Sequence, residues 1–449
     1  MLNSQIEIPD RVGRLCAGLI PYFKELIVRT GVNNSSTIVE FLLAIKIENN
    51  ISECTKSNYI VTLSSLCSFH KNKAFNEMTR DDILSFLDSY RKPEVSDPLH
   101  RWIGTYNNHR VHLIRFFRWL YYPSLEQKKR PKPACIENIP QLVRREKSIY
   151  KPTDLWTLGD NLLFLKYCPS KRDCCYHAIS RDTSCRPHEI LKLRIKDIVF
   201  KITGDNRQYA EVLVNGKTGS RHIPLINSIP YLKDWLDDHP QRGNPNASLI
   251  CGIGKSLGRR INTNSLFKIY TRNKKLFEKL LDNPNVPPED KNLMRDLMNK
   301  PWNPYVRRQS ALTEKSKILK EHVLRQHAGW STNSDMPQKY LRYFGNESSQ
   351  SLLEAYGIVT KDVQLQNQLK SKQCPNCSEP NKPDSKFCAK CRMVLTYDAY
   401  NETLEEKQTK ESEVRRLNEK YEKELKEMRE DMERKFNQIL LRIDLKKIN

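Results

Sequence analysis

The chain has no apolar run of the roughly 20 residues that a membrane-spanning helix needs. Its first ten residues, MLNSQIEIPD, carry acidic groups and no apolar stretch of the kind a secretory leader requires. No lipidation signal is present. These absences predict a cytoplasmic protein with no membrane partner. Internal repeats and low-complexity tracts are missing before residue 402, which sets repeat architectures aside. Hydrophobic residues make up 38% of the 449, somewhat low but enough for real cores. Acidic residues are short against basic ones, 53 against 76, leaving a net charge of +23. The excess is uneven. From Glu402 onward 13 acidic and 13 basic residues cancel, so the first 401 residues hold 63 basic against 40 acidic. A body that basic faces a polyanion, and nucleic acid is the first candidate; an anionic membrane surface, the alternative, is set aside for want of a lipidation signal.

The length predicts several domains. Residues 1–34 read as an N-terminal helical extension and 35–122 as a compact helical domain. In the latter, MTRDDILSFLDSYR opens on Thr79 and Asp82, close to a capping box. TYNNHRVHLIRFFRWLYYP mixes apolar positions with Arg110, Arg115 and Arg118, suggesting basic faces. Residues 123–152 are rich in proline and charge and read as a basic linker. A mostly helical domain follows over 153–369, interrupted by two short strands, YAEVLV and RHIPLI, around the turn NGKTGS. The fold class is therefore multidomain and mainly α, with a small antiparallel sheet. Nine of the 13 cysteines are scattered through this body and read as small reduced core residues. GIGKSLG at 252–258 is no nucleotide phosphate loop, because Leu249 stands where that pattern needs glycine.

TSCRPHEILKLRIKDI, 183–198, sets Arg186 at the mouth of an expected amphipathic helix with Glu189 one turn behind. Arginine grips two phosphate oxygens with a planar fork and stays charged. A helix N-terminus adds unpaired N–H groups, and Pro187 is tolerated at the first helical position. Glu189 can then aim the guanidinium. Taken alone, the pair reads as a surface ion pair.

It does not stand alone. The segment resembles the first motif of the tyrosine recombinases, the phage-integrase family. VNGKTGSRHIPL resembles the family's β-hairpin, with Lys217 at its lysine. NPYVRRQSALTEKS resembles the second motif, with Arg308 as second clamp and Ser310 and Thr313 in place. HAGWSTNSDMPQKYL resembles the final motif, with Trp330 at the histidine-or-tryptophan position and Tyr340 at the nucleophile. The resemblance covers about 35–345 and is strongest toward archaeal-type integrases. It implies a helical, SAM-like core-binding domain and an α+β catalytic domain that clamp opposite faces of double-stranded DNA. Tyr340 would attack a backbone phosphate to form a 3′-phosphotyrosyl bond. Arg186 and Arg308 would stabilise the non-bridging oxygens, Lys217 would protonate the leaving 5′ oxygen, and Trp330 would pack and donate near the phosphate. Tyr305 and Gln309 stand where relatives carry histidine, which leaves the base open. HVLRQH at 322–327 imitates the second motif, but Arg325 lies too near Tyr340, whereas Arg308 precedes it by thirty-two. The resemblance implies no ATP, no catalytic metal and a homotetramer on DNA. A catalytically decayed DNA-binding or architectural protein, or a relaxing topoisomerase, are the alternatives.

Cys374, Cys377, Cys388 and Cys391 form C-x2-C-x10-C-x2-C, two knuckles that can close a structural Zn2+ site with no open position; residues 370–395 read as a zinc ribbon. Lys386 and Lys390 within it allow a DNA contact, and a rigid spacer or a partner-docking ribbon fits equally well. Residues 402–447 read as one long, coiled-coil-like helix. Val414, Leu417, Tyr421, Leu425, Met428, Met432, Phe436, Ile439 and Ile443 repeat with an eleven-residue period, which suits self-association.

Overall fold

The structure, a computed structural model, describes residues 20–49, 51–144, 150–204, 207–216, 218–337 and 371–445. The chain divides into two compact units, residues 1–149 and 150–449.

In the first unit, short polar side chains start the helices. Five are described: α1 (Ile20–Val28), α2 (Val32–Asn49), α3 (Glu53–Phe69), α4 (Arg80–Asp88) and α5 (Trp102–Tyr121). Ser52 caps α3, accepting from Thr55 N at 3.2 Å. Thr79 and Asp82 close a reciprocal box at α4, with Thr79 N donating to the Asp82 carboxylate at 2.8 Å. The core is aromatic. Phe41 meets Tyr59 and Phe116 edge-on, both with centroids 5.2 Å away, and Phe75 reaches Phe116 at 4.7 Å.

Two expectations change here. Residues 123–144, read as linker, fold back on this unit: Cys135, Ile136 and Ile139 join its core. The basic face expected on α5 is largely spent holding that segment. Arg110 Nε donates to the Ile139 carbonyl at 2.9 Å, Arg118 donates to the Arg130 carbonyl, and Arg115 reaches Gln127 at 3.3 Å. Proline-rich backbone lacks sheet or helix partners, so guanidinium groups supply its donors.

The second unit is built around α7 (Lys171–Thr183), buried at every position after Lys171 although most of its side chains are polar. Buried polar groups persist only when paired. Arg172 meets Asp173, Arg181 meets Glu314, and Asp182 accepts from Ser228. Around α7 lie α6 (Leu158–Tyr167), the one-turn α8 (Pro187–Ile190), and the strands β1 (Ile198–Ile202), β2 (Gln208–Gly216) and β3 (Gly219–Leu225). These three form an antiparallel sheet in the order β1-β2-β3. There follow α9 (Ile229–Asp237), α10 (Thr263–Leu280), α11 (Pro288–Met298), α12 (Pro304–Ser316) and α13 (Glu321–Ala328). Trp156, Phe164, Tyr270, Phe277 and Trp302 pack with the inward residues of β2 and β3 into one core.

The amphipathic helix expected from Arg186 is a single turn. Ile195, Ile198, Val199 and Phe200 favour extended backbone, and the chain passes into β1, a strand that sequence reading did not anticipate. The expected hairpin closes tightly, Gly216 opposite Gly219.

The ribbon, with β4 (Lys372–Gln373) paired to β5 (Pro380–Asn381), rests on α9. Lys233 pairs with Glu379 and Lys382 with Asp234, and Lys382 lies 5.4 Å above the Tyr231 ring. The last helix described is α14 (Tyr397–Leu445), 49 residues long. Of the body cysteines described, Cys54 is exposed and the other seven are buried.

Candidate functional site

Three elements meet at the turn between α7 and α8. Ser184 ends α7 in the left-handed region, at φ 50°, and is wholly buried. Two residues on, Arg186 caps α8. Glu189 closes the turn: its carboxylate accepts from Arg186 N at 3.0 Å and from the Arg186 guanidinium at 3.0 Å. Arg186 keeps part of its side chain in solvent, whereas that of Glu189 has none. Because α8 is one turn long, the grip available to an anion lies in the guanidinium and not in a helix terminus. This corrects the expectation of helix N–H groups.

From α12, Arg308 reaches the same turn. It is 7% exposed, donates to the Ser184 carbonyl, and donates to the Ala328 carbonyl at 3.0 Å. Asn303 caps α12 through both Tyr305 N and Val306 N and so sets the rotation of Arg308 inward. Ser310 on the same helix accepts from Trp156 N at 2.8 Å, and the Thr313 hydroxyl is buried. Trp330 follows Ala328 by two residues and is buried with Leu312 and Leu324.

Arg186, Glu189, Arg308 and the Trp330 turn are therefore neighbours through shared backbone. Tyr305 stands apart: it is 43% exposed, its ring 6.1 Å from that of Phe267. Arg325 is occupied at the end of α13, bound to Glu321 and to the carbonyls of Thr332 and Ser334 at 2.8 and 2.7 Å. It ties down the chain that leads toward 340. Tyr340 and Lys217 lie outside the described residues. The flanks of Lys217 are described: Thr218 donates its hydroxyl to the Gly329 carbonyl at 3.1 Å, so the hairpin tip sits at the turn before Trp330.

Sequence reading missed three residues here. Arg221 on β3 donates to Glu189 at 2.9 Å and to the His327 carbonyl at 3.0 Å. The signal was strand alternation, which turns Arg221 to the same buried face as Ile223 and Leu225. His327 is half-buried beside these cations. Burial first, then Lys315, Arg221 and Arg308, pull its imidazole down to about 4, so it is neutral at physiological pH. Gly329 sits at φ 65°, and a Cβ there would lie 2.5 Å from the Arg221 guanidinium. Glu189 is pushed up by burial, but hydrogen bonds and charge from Arg221 and Arg186 prevail and hold it below the usual carboxylate range. The outcome is a carboxylate locked between two guanidinium groups, with a third alongside: an arrangement that can bind and polarise an anion.

In the ribbon, the sulfurs of Cys374 and Cys391 are 3.5 Å apart, those of Cys377 and Cys388 3.6 Å, and all four lie within 4.8 Å of one another. A tetrahedron with bonds of about 2.3 Å has edges of about 3.8 Å, so the four thiols fit a metal ion. Lys386 pairs with Glu402 of α14 at 2.7 Å. Among the described residues no helix is long and apolar enough to cross a membrane.

Residues 38–123 match the family model described as phage integrase, N-terminal SAM-like domain. No curated protein sequence matches the chain. Among solved structures, it is similar to XerH site-specific recombinase bound to palindromic difH substrate, with 17% identity, TM-score 0.47, and 79% of this chain and 96% of that one covered. It is similar to a lambda integrase dimer bound to a COC′ core site, with 12% identity, TM-score 0.45, and 68% and 76% covered. For the Tn1549 transposon integrase in complex with transposon right-end DNA the values are 14%, 0.44, and 72% and 99%.

Proposed function

We propose that this chain is a site-specific DNA recombinase that breaks and rejoins double-stranded DNA through a 3′-phosphotyrosyl intermediate on Tyr340. One observation carries the reading: Arg308 is bound to the carbonyl of Ser184, two residues before Arg186, so two guanidinium groups far apart in sequence serve one turn. A phosphate seated there meets cations on both non-bridging oxygens, which is where charge grows as a fifth bond forms. Tyr340 supplies the nucleophile. A free phenol has a pKa near 10, and the surrounding positive field favours its ionisation. Lys217, which precedes Thr218 in the chain, protonates the departing 5′ oxygen. Trp330 packs against the phosphate. The phosphotyrosyl link conserves the bond energy, so the reaction needs no ATP.

Residues 153–369 form the catalytic domain that carries this chemistry, and residues 35–122 form the core-binding domain. The zinc ribbon, 370–395, holds one structural Zn2+ through Cys374, Cys377, Cys388 and Cys391. The active form is a homotetramer on two duplexes, supported by self-association of the C-terminal helix. The exposed Tyr305 and the presence of Gln309 favour a second reading, a decayed DNA-binding protein of the same fold.

A nicked duplex, from which the cleaved strand end diffuses away, separates the two. The unaltered chain accumulates a covalent protein–DNA adduct, visible as a band that survives denaturation. Tyr340→Phe abolishes it, and Arg308→Ala lowers its rate by about a hundredfold or more. A chain that binds the duplex and forms no adduct is the decayed protein.

A further inference from the structure

β3 brings a third guanidinium to the site. Arg221 is 9% exposed. Its Nε donates to the His327 carbonyl at 3.0 Å, and Nη2 donates to Glu189 at 2.9 Å and lies 3.3 Å from Cys185 Sγ. Nη1 is buried and without a partner among the described residues. Space for this group comes from two glycines: a Cβ at Gly216 would stand 2.9 Å from Nη1, and one at Gly329 2.5 Å.

Charge explains why a second cation should share Glu189. A buried carboxylate paired with Arg186 alone would cancel the charge that Arg186 offers a phosphate. With Arg221 on its other oxygen, the trio keeps one positive charge, and Arg308 adds another. A phosphodiester carries one negative charge and gains a second on becoming five-coordinate. The two net positive charges match that state better than the ground state, which is the condition for accelerating the step.

We propose that Arg221 is a positioning residue that acts through Glu189. It restores the positive charge that the carboxylate would withdraw from Arg186, and it fixes the carboxylate so that Arg186 presents one orientation to the phosphate. This rests on the recombinase reading above.

The test uses the full chain and a library of nicked duplexes of random sequence, enriched once for adduct formation. Adduct rate and duplex affinity are measured for the unaltered chain, Arg221→Met, Arg221→Lys, Glu189→Gln and the Arg221→Met, Glu189→Gln pair. Arg221→Met slows the adduct by about a hundredfold while affinity changes less than about threefold. Arg221→Lys, which keeps the charge, stays within about tenfold of the unaltered chain. In the Glu189→Gln background, Arg221→Met costs less than about threefold, because the carboxylate it answers is gone. Losses that multiply in the pair, or an affinity loss as large as the rate loss, overturn the proposal and leave the recombinase reading standing. An unaltered chain that forms no adduct overturns both. Should Arg221→Met melt below assay temperature, Arg221→Lys and the pair decide: a lysine variant as slow as Glu189→Gln counts against the proposal.

Discussion

Among the described residues, Arg307, next to the proposed clamp Arg308, is the largest fully buried side chain, and its three guanidinium nitrogens find no hydrogen-bond partner there. Its guanidinium lies 5.9 Å from the centre of the Trp156 ring, which offers it a weak cation–π contact. Burial pulls its pKa down to about 10, so it still enters the core charged at neutral pH. Removing a buried charge in favour of an apolar side chain of similar volume is often stabilising by about 1–4 kcal/mol. Arg307→Met should therefore raise the melting temperature of the second unit by several degrees, in contrast to the loss expected for most core changes. A lower melting temperature in a thermal scan would mean that the charge is compensated. Arg186, Glu189 and Arg308 were legible in the sequence because motif spacing marks them. Arg221 and His327 were not, because their contribution comes from three-dimensional contact between β3 and the end of α13. Tyr305 shows the reverse: its sequence position suggests chemistry, and its exposed ring beside Phe267 does not place it with Arg308.

At the level of elements, side-chain caps and alternation made most helices and the β2–β3 hairpin readable. The length of α8 was not. Apolar spacing after Arg186 fits a helix as well as a turn followed by a strand, and only pairing with β2 decides between them. The 123–144 segment misled for a related reason: proline and charge signal irregular backbone, and irregular backbone can still be packed. The long helix α14 leaves Val414, Leu417, Tyr421, Leu425, Met428 and Met432 each more than half exposed along one stripe. A stripe of that length in water, flanked by equal numbers of both charges, suits a second copy of itself. Replacing Leu417 and Leu425 together by Asp should turn a DNA-free, self-associating chain into a monomer by sedimentation. The melting of the second unit should be unchanged. A double variant that still self-associates would place the interface elsewhere.

On the scale of the whole molecule, the ribbon is not a free appendage. Glu379 and Lys382 bind Lys233 and Asp234 of α9, and Gln208 at the start of β2 joins the same cluster. Metal binding should thus be felt beyond the ribbon. The purified chain should hold about one zinc per molecule by atomic absorption. Cys388→Ser should lose it and lower the melting temperature of the second unit, since metal that binds only the folded state stabilises whatever folds with it. An unchanged melting temperature on metal loss would show that the latch contributes little. The same contacts decide where the gene can be divided. A chain ended at residue 370 would strip α9 of its cover, leave Lys233 and Asp234 without these carboxylate and ammonium partners, and open the Tyr231 ring to solvent. The border between residues 149 and 150 is the better place for the knife.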